Sequence, residues 1–260
     1  MPRQRQQLVL KRRRVNRFGI ARRIANVERT LRAGREVKVA RVSGSIQLSS
    51  ALTSSNKLIN LMPDIPNNGD VSGNDGAGRD GNEVRLKKIV MKSWIRYSPD
   101  DVNNAVSLAE SNMMMRMLIF RQKDQQSAIG LKDGTNFNSE ELLESGEANQ
   151  ANSFRNIMSP VNRDLFTVKQ DRKFKLTNNV DGPGTNTDVG ANPYNFKVNN
   201  KTITFGKMGK KLAYSKDANV VQPINFPWVY SGVYAACTGN VAPFSQGYME
   251  YDITAYYTDA

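Results

Sequence analysis

Apolar residues recur mainly at every second position from Gly34 onward, and this alternation restricts the fold more than any other feature of the chain. A period of two places apolar side chains on one face of a β-strand and polar side chains on the other. Little helix is predicted in this region. Long irregular connections between strands favour a jelly roll, with two packed antiparallel sheets, over an up-and-down barrel. The pattern predicts an all-β, eight-stranded jelly roll whose strands lie in segments 36–48, 83–97, 113–121, 165–176, 194–205, 210–216, 228–237 and 247–258.

Two of these segments carry further detail. In segment 83–97 the apolar positions change parity at Lys87-Lys88, with Val84 before the change and Ile89 after it, which predicts a β-bulge. Outside the strands, a short helix is expected near 139–144, where Ser139 can cap the first turn. In segment 165–176 one strand face is predicted to hold four apolar residues, namely Phe166, Val168, Phe174 and Leu176.

Charge is strongly segregated along the chain. Residues 1–41 contain 14 Lys and Arg but only Glu28 and Glu36 as acids, so they hold +12 of the net charge of +13. The remaining residues contain 23 Lys and Arg against 22 Asp and Glu. The sequence therefore predicts a basic arm over residues 1–35 and a nearly neutral body over 36–260.

The arm is predicted to bind nucleic acid. Arginine outnumbers lysine in it, and the planar guanidinium can bind two phosphate oxygens at once. Such contacts give affinity without sequence information. A solubilising tail and a membrane-surface segment are the alternatives, although the arm has little apolar area to insert into a membrane. The candidate nucleic-acid-binding residues are Arg3, Arg5, Lys11, Arg12, Arg13, Arg14, Arg17, Arg22, Arg23, Arg29 and Arg32.

Part of the arm has helical periodicity. Asn16 can cap a helix over residues 17–33, and Gly34 can end it. Because a helix this short is marginal in water, its apolar stripe needs a partner, either the body or the same helix of neighbouring subunits. The predicted assembly stripe, at spacings of four, three and four, consists of Ile20, Ile24, Val27 and Leu31.

Residue composition argues against an enzyme. The chain has no histidine and a single cysteine, so a histidine-based triad and the usual zinc sites cannot be built. We expect no catalytic residues, no bound cofactor and no metal site. Three nearby carboxylates, Glu140, Glu141 and Glu144, are expected to form a solvated face.

A turn-rich loop over residues 63–82 contains several acids that could form a calcium-binding site. Its acids, with Glu83 just beyond, do not fit the EF-hand spacing. A flexible surface loop is the favoured interpretation, and calcium held between subunits stays open. The acids concerned are Asp70, Asp75, Asp80 and Glu83.

Two other classes of protein compete with a structural role. A cellular nucleic-acid-binding β-sandwich with a basic tail is the main alternative, but the body shows no basic stripe with interleaved aromatics, which a strand-binding platform needs. A β-sandwich enzyme or carbohydrate binder is the other, and the missing histidine weighs against an enzyme.

Several short segments, in their order along the chain, resemble jelly-roll capsid proteins of small icosahedral viruses. The two groups concerned are satellite tobacco necrosis virus and the circular single-stranded DNA viruses that encode a replication initiator. The likeness covers most of the chain, although each piece is short. The segments are Ile20–Leu31, Gly81–Leu86, Met117–Arg121, Ser159–Val168, Lys207–Tyr214 and Tyr256–Ala260.

This resemblance implies a shell of about 60 identical subunits, the smallest icosahedral (T=1) arrangement, with arms directed onto a single-stranded genome. DNA is favoured over RNA as that genome. Lys11-Arg-Arg-Arg14 also fits a nuclear-localisation signal, which would engage host import receptors. The expected locations are the virion and, for a DNA genome, the host nucleus; no membrane partner is expected.

Overall fold

The computed structural model describes residues 36–48, 58–67, 78–99, 112–132, 137, 140–145, 154–177, 196–216, 220–236 and 245–259. Within these ranges nine strands are present. Two short α-helices, α1 (Ala128–Lys132) and α2 (Phe154–Met158), and one 3-10 turn (Glu140–Leu142) accompany them. The strands are β1 (Lys38–Gln47), β2 (Ile59–Asn60), β3 (Glu83–Pro99), β4 (Asn112–Gln122), β5 (Phe166–Thr177), β6 (Phe196–Thr204), β7 (Lys210–Ala213), β8 (Val229–Ala236) and β9 (Ser245–Asp259).

The strands form two antiparallel sheets with nested pairing. One sheet has the order β1-β9-β3-β6, with β7 paired to the beginning of β3, and the other has the order β2-β8-β4-β5. Thus β1 pairs with β9, β2 with β8, β3 with β6 and β4 with β5. A long hairpin rolled into two layers produces this nesting, which is the jelly-roll arrangement. The predicted all-β jelly roll is confirmed.

Each of the eight predicted strand segments contains a strand. The sequence pattern missed β2, which has only two residues and is too short to show alternation. It also missed α1 and α2, which have five residues each. The helix expected near 139–144 is a single 3-10 turn, in which Glu140 and Glu141 are exposed and Leu142 is buried.

The main core lies between the sheets. Met113, Met115 and Met117 of β4 are buried in it, against residues of β3 and β9. The predicted bulge in β3 is confirmed, since the register with β9 shifts between Leu86 and Lys88. The shift lets apolar residues of both parities, including Val84 and Ile89, face the same core.

A second apolar cluster covers the other face of the β2-β8-β4-β5 sheet. Leu118 and Phe120 of β4 pack there with Ile157 of α2 and with other buried residues. The prediction that four apolar residues of segment 165–176 share one face is wrong. Phe166 and Val168 belong to this second cluster, whereas Leu176 is in the core between the sheets and Phe174 packs against it.

Arg116 holds the loop after α2 against the sheet. Its side chain is fully buried. Its Nε and Nη2 donate to the two carboxylate oxygens of Asp171 at 2.8 and 2.7 Å. Its Nη1 donates to the backbone carbonyls of Asn156 at 2.9 Å and Ser159 at 2.6 Å. One guanidinium therefore satisfies a carboxylate and two carbonyls.

A buried polar network crosses between the sheets. The Tyr230 hydroxyl on β8 lies 2.9 Å from Ser93 Oγ on β3 and accepts a hydrogen bond from Asn199 Nδ2 on β6 at 3.2 Å. Gln170 and Arg172 of β5 donate to Asn199 Oδ1 at 3.0 and 3.2 Å. Burial raises the pKa of Tyr230 to about 12. The network fixes how the two sheets face each other.

Candidate functional site

The site residues predicted from the sequence fall outside the described ranges. This holds for the eleven nucleic-acid-binding residues between Arg3 and Arg32 and for the assembly stripe from Ile20 to Leu31. Both sets therefore stay predictions.

The described body contains a basic site that the sequence analysis did not predict. Three half-buried cations lie over three aromatic rings, and a fourth, Lys201, lies close enough to Lys169 to lower its pKa. They come from the end of β4, from β5, from β6 and from the start of β7, and the rings follow β6 or precede β8. We call this the basic–aromatic cluster: Arg121, Lys169, Lys201 and Lys210 with Phe205, Phe226 and Trp228.

The rings form the floor of the cluster. Phe226 and Trp228 are 1 % and 6 % exposed and belong to the core between the sheets, against which Phe205 packs. Phe205 and Phe226 meet edge to face, with ring centroids 6.0 Å apart. Because the floor is part of the core, its position is set by packing.

Three of the four cations lie over these rings. Lys169 Nζ is 4.7 Å from the centroid of Trp228 and 5.1 Å from that of Phe205. Arg121 Cζ lies 5.5 Å from the Trp228 centroid, and Lys210 Nζ lies 4.9 Å from that of Phe226. Each contact is within the range of cation–π attraction, which holds the charged groups above the apolar floor.

The positive charges of the cluster lower the pKa of the neighbouring lysines. Burial, followed by the nearby charge of Arg121, lowers the pKa of Lys169 and also that of Lys210. Lys201 adds to the effect on Lys169, and Lys169 adds to the effect on Lys210. No salt bridge within the described part of the chain includes any of the four cations. The cluster is therefore a local excess of positive charge suited to binding an anion.

A β-bulge positions Lys169. The register between β4 and β5 pairs Ile119 with Gln170 and Phe120 with Val168, so Lys169 is the extra residue. A bulge bends its strand and redirects the side chain at the extra position. The same bulge explains why Phe166 and Phe174, of equal parity, face opposite sides of the sheet.

A tight turn positions Lys210. Gly206 and Gly209 have φ values of +72° and +73°, a backbone region that favours glycine. A Cβ at Gly209 would lie 2.8 Å from the carbonyl oxygen of Leu86, so the turn packs closely on β3. Phe205 immediately before the turn and Lys210 immediately after it are thereby brought to the cluster.

Sequence reasoning missed the cluster because its members are scattered between positions 121 and 228. No one segment of the sequence shows a basic stripe with interleaved aromatics, and the cluster forms only where distant segments meet in the fold. Two local signals were present: the glycines that flank Lys207-Met208, and the aromatic pair in Phe226-Pro-Trp228.

The acids considered for calcium do not gather in the described ranges. Asp80 pairs with Lys38 at 3.2 Å, and Glu83 pairs with Lys211 at 2.7 Å. The other two, Asp70 and Asp75, lie outside those ranges. Among the described residues no group of three or more metal-binding side chains is present.

The fold defines the class of this protein as a jelly-roll β-sandwich. No protein-family model matches the chain, and no curated protein matches it. Among solved structures, the VP1 protein of Merkel cell polyomavirus in complex with GD1a oligosaccharide is similar at 7 % identity, with a TM-score of 0.23. That match covers 85 % of this chain and 96 % of VP1. At this TM-score the match supports no functional conclusion.

Across the described residues, no helix combines the length and the hydropathy that a membrane crossing requires.

Proposed function

We propose that this chain is the coat protein of a small icosahedral virus and packages a single-stranded genome through its arginine-rich arm. The observation that carries the proposal is the nested strand order, β1-β9-β3-β6 over β2-β8-β4-β5, in a chain whose first 41 residues hold +12 of its net charge. A jelly roll is a frequent building block of viral shells. A polycationic segment supplies the sequence-independent affinity that packaging needs.

The proposed shell contains about 60 copies in T=1 symmetry. With +12 on the first 41 residues of each copy, the shell would hold about 700 positive charges, enough to neutralise a large part of a genome of roughly one to two thousand phosphates. Single-stranded DNA is the proposed genome, because the basic run Lys11–Arg14 would also serve nuclear import. No catalytic activity, bound cofactor or membrane association is part of the proposal.

Particle formation tests the proposal. We expect the purified full chain to assemble into closed particles of virus-like size, visible by electron microscopy and by light scattering. The alternative, a cellular nucleic-acid-binding β-sandwich with a basic tail, requires only a monomer or a small oligomer. A protein that stays monomeric at high concentration, with and without single-stranded nucleic acid, would exclude the coat-protein assignment.

A further inference from the structure

We propose that the basic–aromatic cluster binds a backbone phosphate of a single-stranded polynucleotide, as a second genome contact located on the body. This inference rests on the proposed function, since that function supplies the polynucleotide. It differs from arm binding in its location, because none of its residues belongs to the arm.

Four cations share a small area without a neutralising partner in the described part of the chain. Lys169 and Arg121 lie over the same Trp228 ring. Like charges placed this close repel each other, and an anion bound between them removes that repulsion. The free protein keeps these like charges close together, and this arrangement is typical of a site that binds an anion.

Arg121 adds a second, independent observation. Its Nε is buried and has no hydrogen-bond partner, and no hydrogen bond or ion pair among the described residues uses its Nη groups, so contact with the Trp228 ring holds this guanidinium. Arg116, on the same strand, shows the opposite arrangement, with its Nε and both Nη groups bonded. The two Nη groups of a guanidinium that makes no hydrogen bond to the protein can donate to two oxygens of one phosphate.

The floor of the cluster determines which part of a nucleotide is bound. Phe226 and Trp228 are buried and each has a cation over its ring, so bases cannot stack on them. Binding would therefore involve charge and not base identity. A phosphodiester satisfies this requirement and is recognised without sequence preference.

A sulfated sugar is a different anion that the same cations could attract. The polynucleotide is favoured because the arm of the same chain carries the charge expected of a polynucleotide-binding segment. Both sites could then act on one strand, each by releasing counterions.

Trp228 provides a local reporter for the test. The chain has two tryptophans, so Trp94→Phe in the full-length protein leaves Trp228 as the single emitter. Trp94 is 58 % exposed on β3 and is not a member of the cluster. The probe is a single-stranded oligothymidylate of roughly ten nucleotides, the size that one small domain contacts. We expect it to change the Trp228 emission in a saturable manner.

A double variant and a matched control separate the cluster from the arm. Lys169→Gln with Lys210→Gln removes two cluster charges. Lys173→Gln with Lys175→Gln removes two exposed charges from β5. Binding of a labelled oligothymidylate is followed by anisotropy at several salt concentrations. We expect the plot of log affinity against log salt to be shallower by about 0.7 for the cluster variant, which corresponds to one lost phosphate contact, and unchanged for the control.

Three results would overturn the inference, and they differ in meaning. Tight oligothymidylate binding with an unchanged Trp228 emission, and with equal salt slopes in both double variants, would confine genome contact to the arm and leave the proposed function intact. A response of Trp228 to a heparin-derived oligosaccharide but not to oligothymidylate would assign the cluster to a sulfated glycan. If the full chain binds no oligothymidylate at all, the packaging function itself fails.

Discussion

Arg116 and Arg121 lie five positions apart on β4 and show two uses of arginine. The first is fully buried and donates to Asp171 and to two backbone carbonyls. The second lies over Trp228 with its Nε without an acceptor. The hydrogen bonds of Arg116 give it a structural role, whereas the guanidinium of Arg121 has the arrangement that the proposed phosphate contact requires.

Arg116→Met is expected to destabilise the protein strongly. The methionine fills much of the same volume, but it leaves Asp171 and the carbonyls of Asn156 and Ser159 without their donor. The expected loss is about 2–4 kcal/mol in the free energy of unfolding, because the buried carbonyl of Asn156 and the carbonyl of Ser159 lose their donor and the partly exposed Asp171 loses its ion pair. Urea unfolding at low protein concentration measures it.

Lys173→Met is the matched control for this prediction. Lys173 is exposed on the neighbouring strand β5 and pairs with Arg116 in register. We expect its substitution to change the unfolding free energy by less than about 0.5 kcal/mol. Equal effects of the two substitutions would show that the hydrogen bonds of Arg116 do not hold the loop after α2.

At the scale of elements, we propose that the 17–33 segment acts as an assembly helix. Replacing Ile24 and Val27 with serine removes burial of about 1.5–3 kcal/mol per side chain without changing the charge. We expect the double variant to fold but to form fewer intact shells, with lower thermal stability, as measured by electron microscopy and thermal melting. If the variant forms shells of normal number and stability, the 17–33 segment contributes its charge but does not act in assembly.

The control for the helix prediction uses two small residues off the apolar stripe. Ala21→Ser together with Ala25→Ser makes the same kind of change, apolar to hydroxyl, on a different face. We expect shells from this variant to match those of the unaltered chain. Equal damage from both pairs would indicate a general sensitivity of the segment to helix propensity, not burial of the stripe.

Long alternating segments made most strands predictable. β9 illustrates this, since Met249, Ile253 and Tyr257 are all buried as their spacing predicts. The bulge at Lys87 was also predictable, because the apolar residues on its two sides have opposite parity. The bulge at Lys169 was not, since Phe166 and Phe174 keep the same parity while the inserted residue moves them to opposite faces. Parity alone cannot reveal a bulge when both faces of the sheet are apolar.

The cluster was unpredictable for a different reason. Its rings and cations come from four strands and the connections between them, and contacts between distant segments exist only after the sheets have formed. The net charge of the body is close to zero when all its residues are counted. A net charge does not show where the charges lie, so it cannot reveal the local excess of cations at the cluster.

At the scale of the whole molecule, charge rather than length of the arm should set the amount of packaged nucleic acid. Deletion of residues 1–16 removes six of the 14 cations in residues 1–41. We expect the body to stay folded and the nucleic acid per particle to fall by roughly half, following the neutralised charge. The ratio of ultraviolet absorbance at the nucleic-acid and protein maxima measures the content, and circular dichroism measures the fold.

A full-length control separates charge from length. The same six residues are replaced by glutamine, so the arm keeps its length and loses its charge. We expect this variant to match the deletion. If both variants package as much nucleic acid as the unaltered chain, the genome contacts of this protein must lie elsewhere.

The pairing of β1 with β9 has a consequence for biosynthesis. Lys38 of β1 lies opposite Tyr257 of β9, although more than two hundred residues separate them along the chain. A ribosome delivers the N-terminal part of a chain first, so β1 is made long before its neighbour in the sheet. Pairing across such a distance is slow, because the loop must close before any contact rewards it. During translation the exposed backbone of β1 must therefore remain without its sheet partner until the last strand is released.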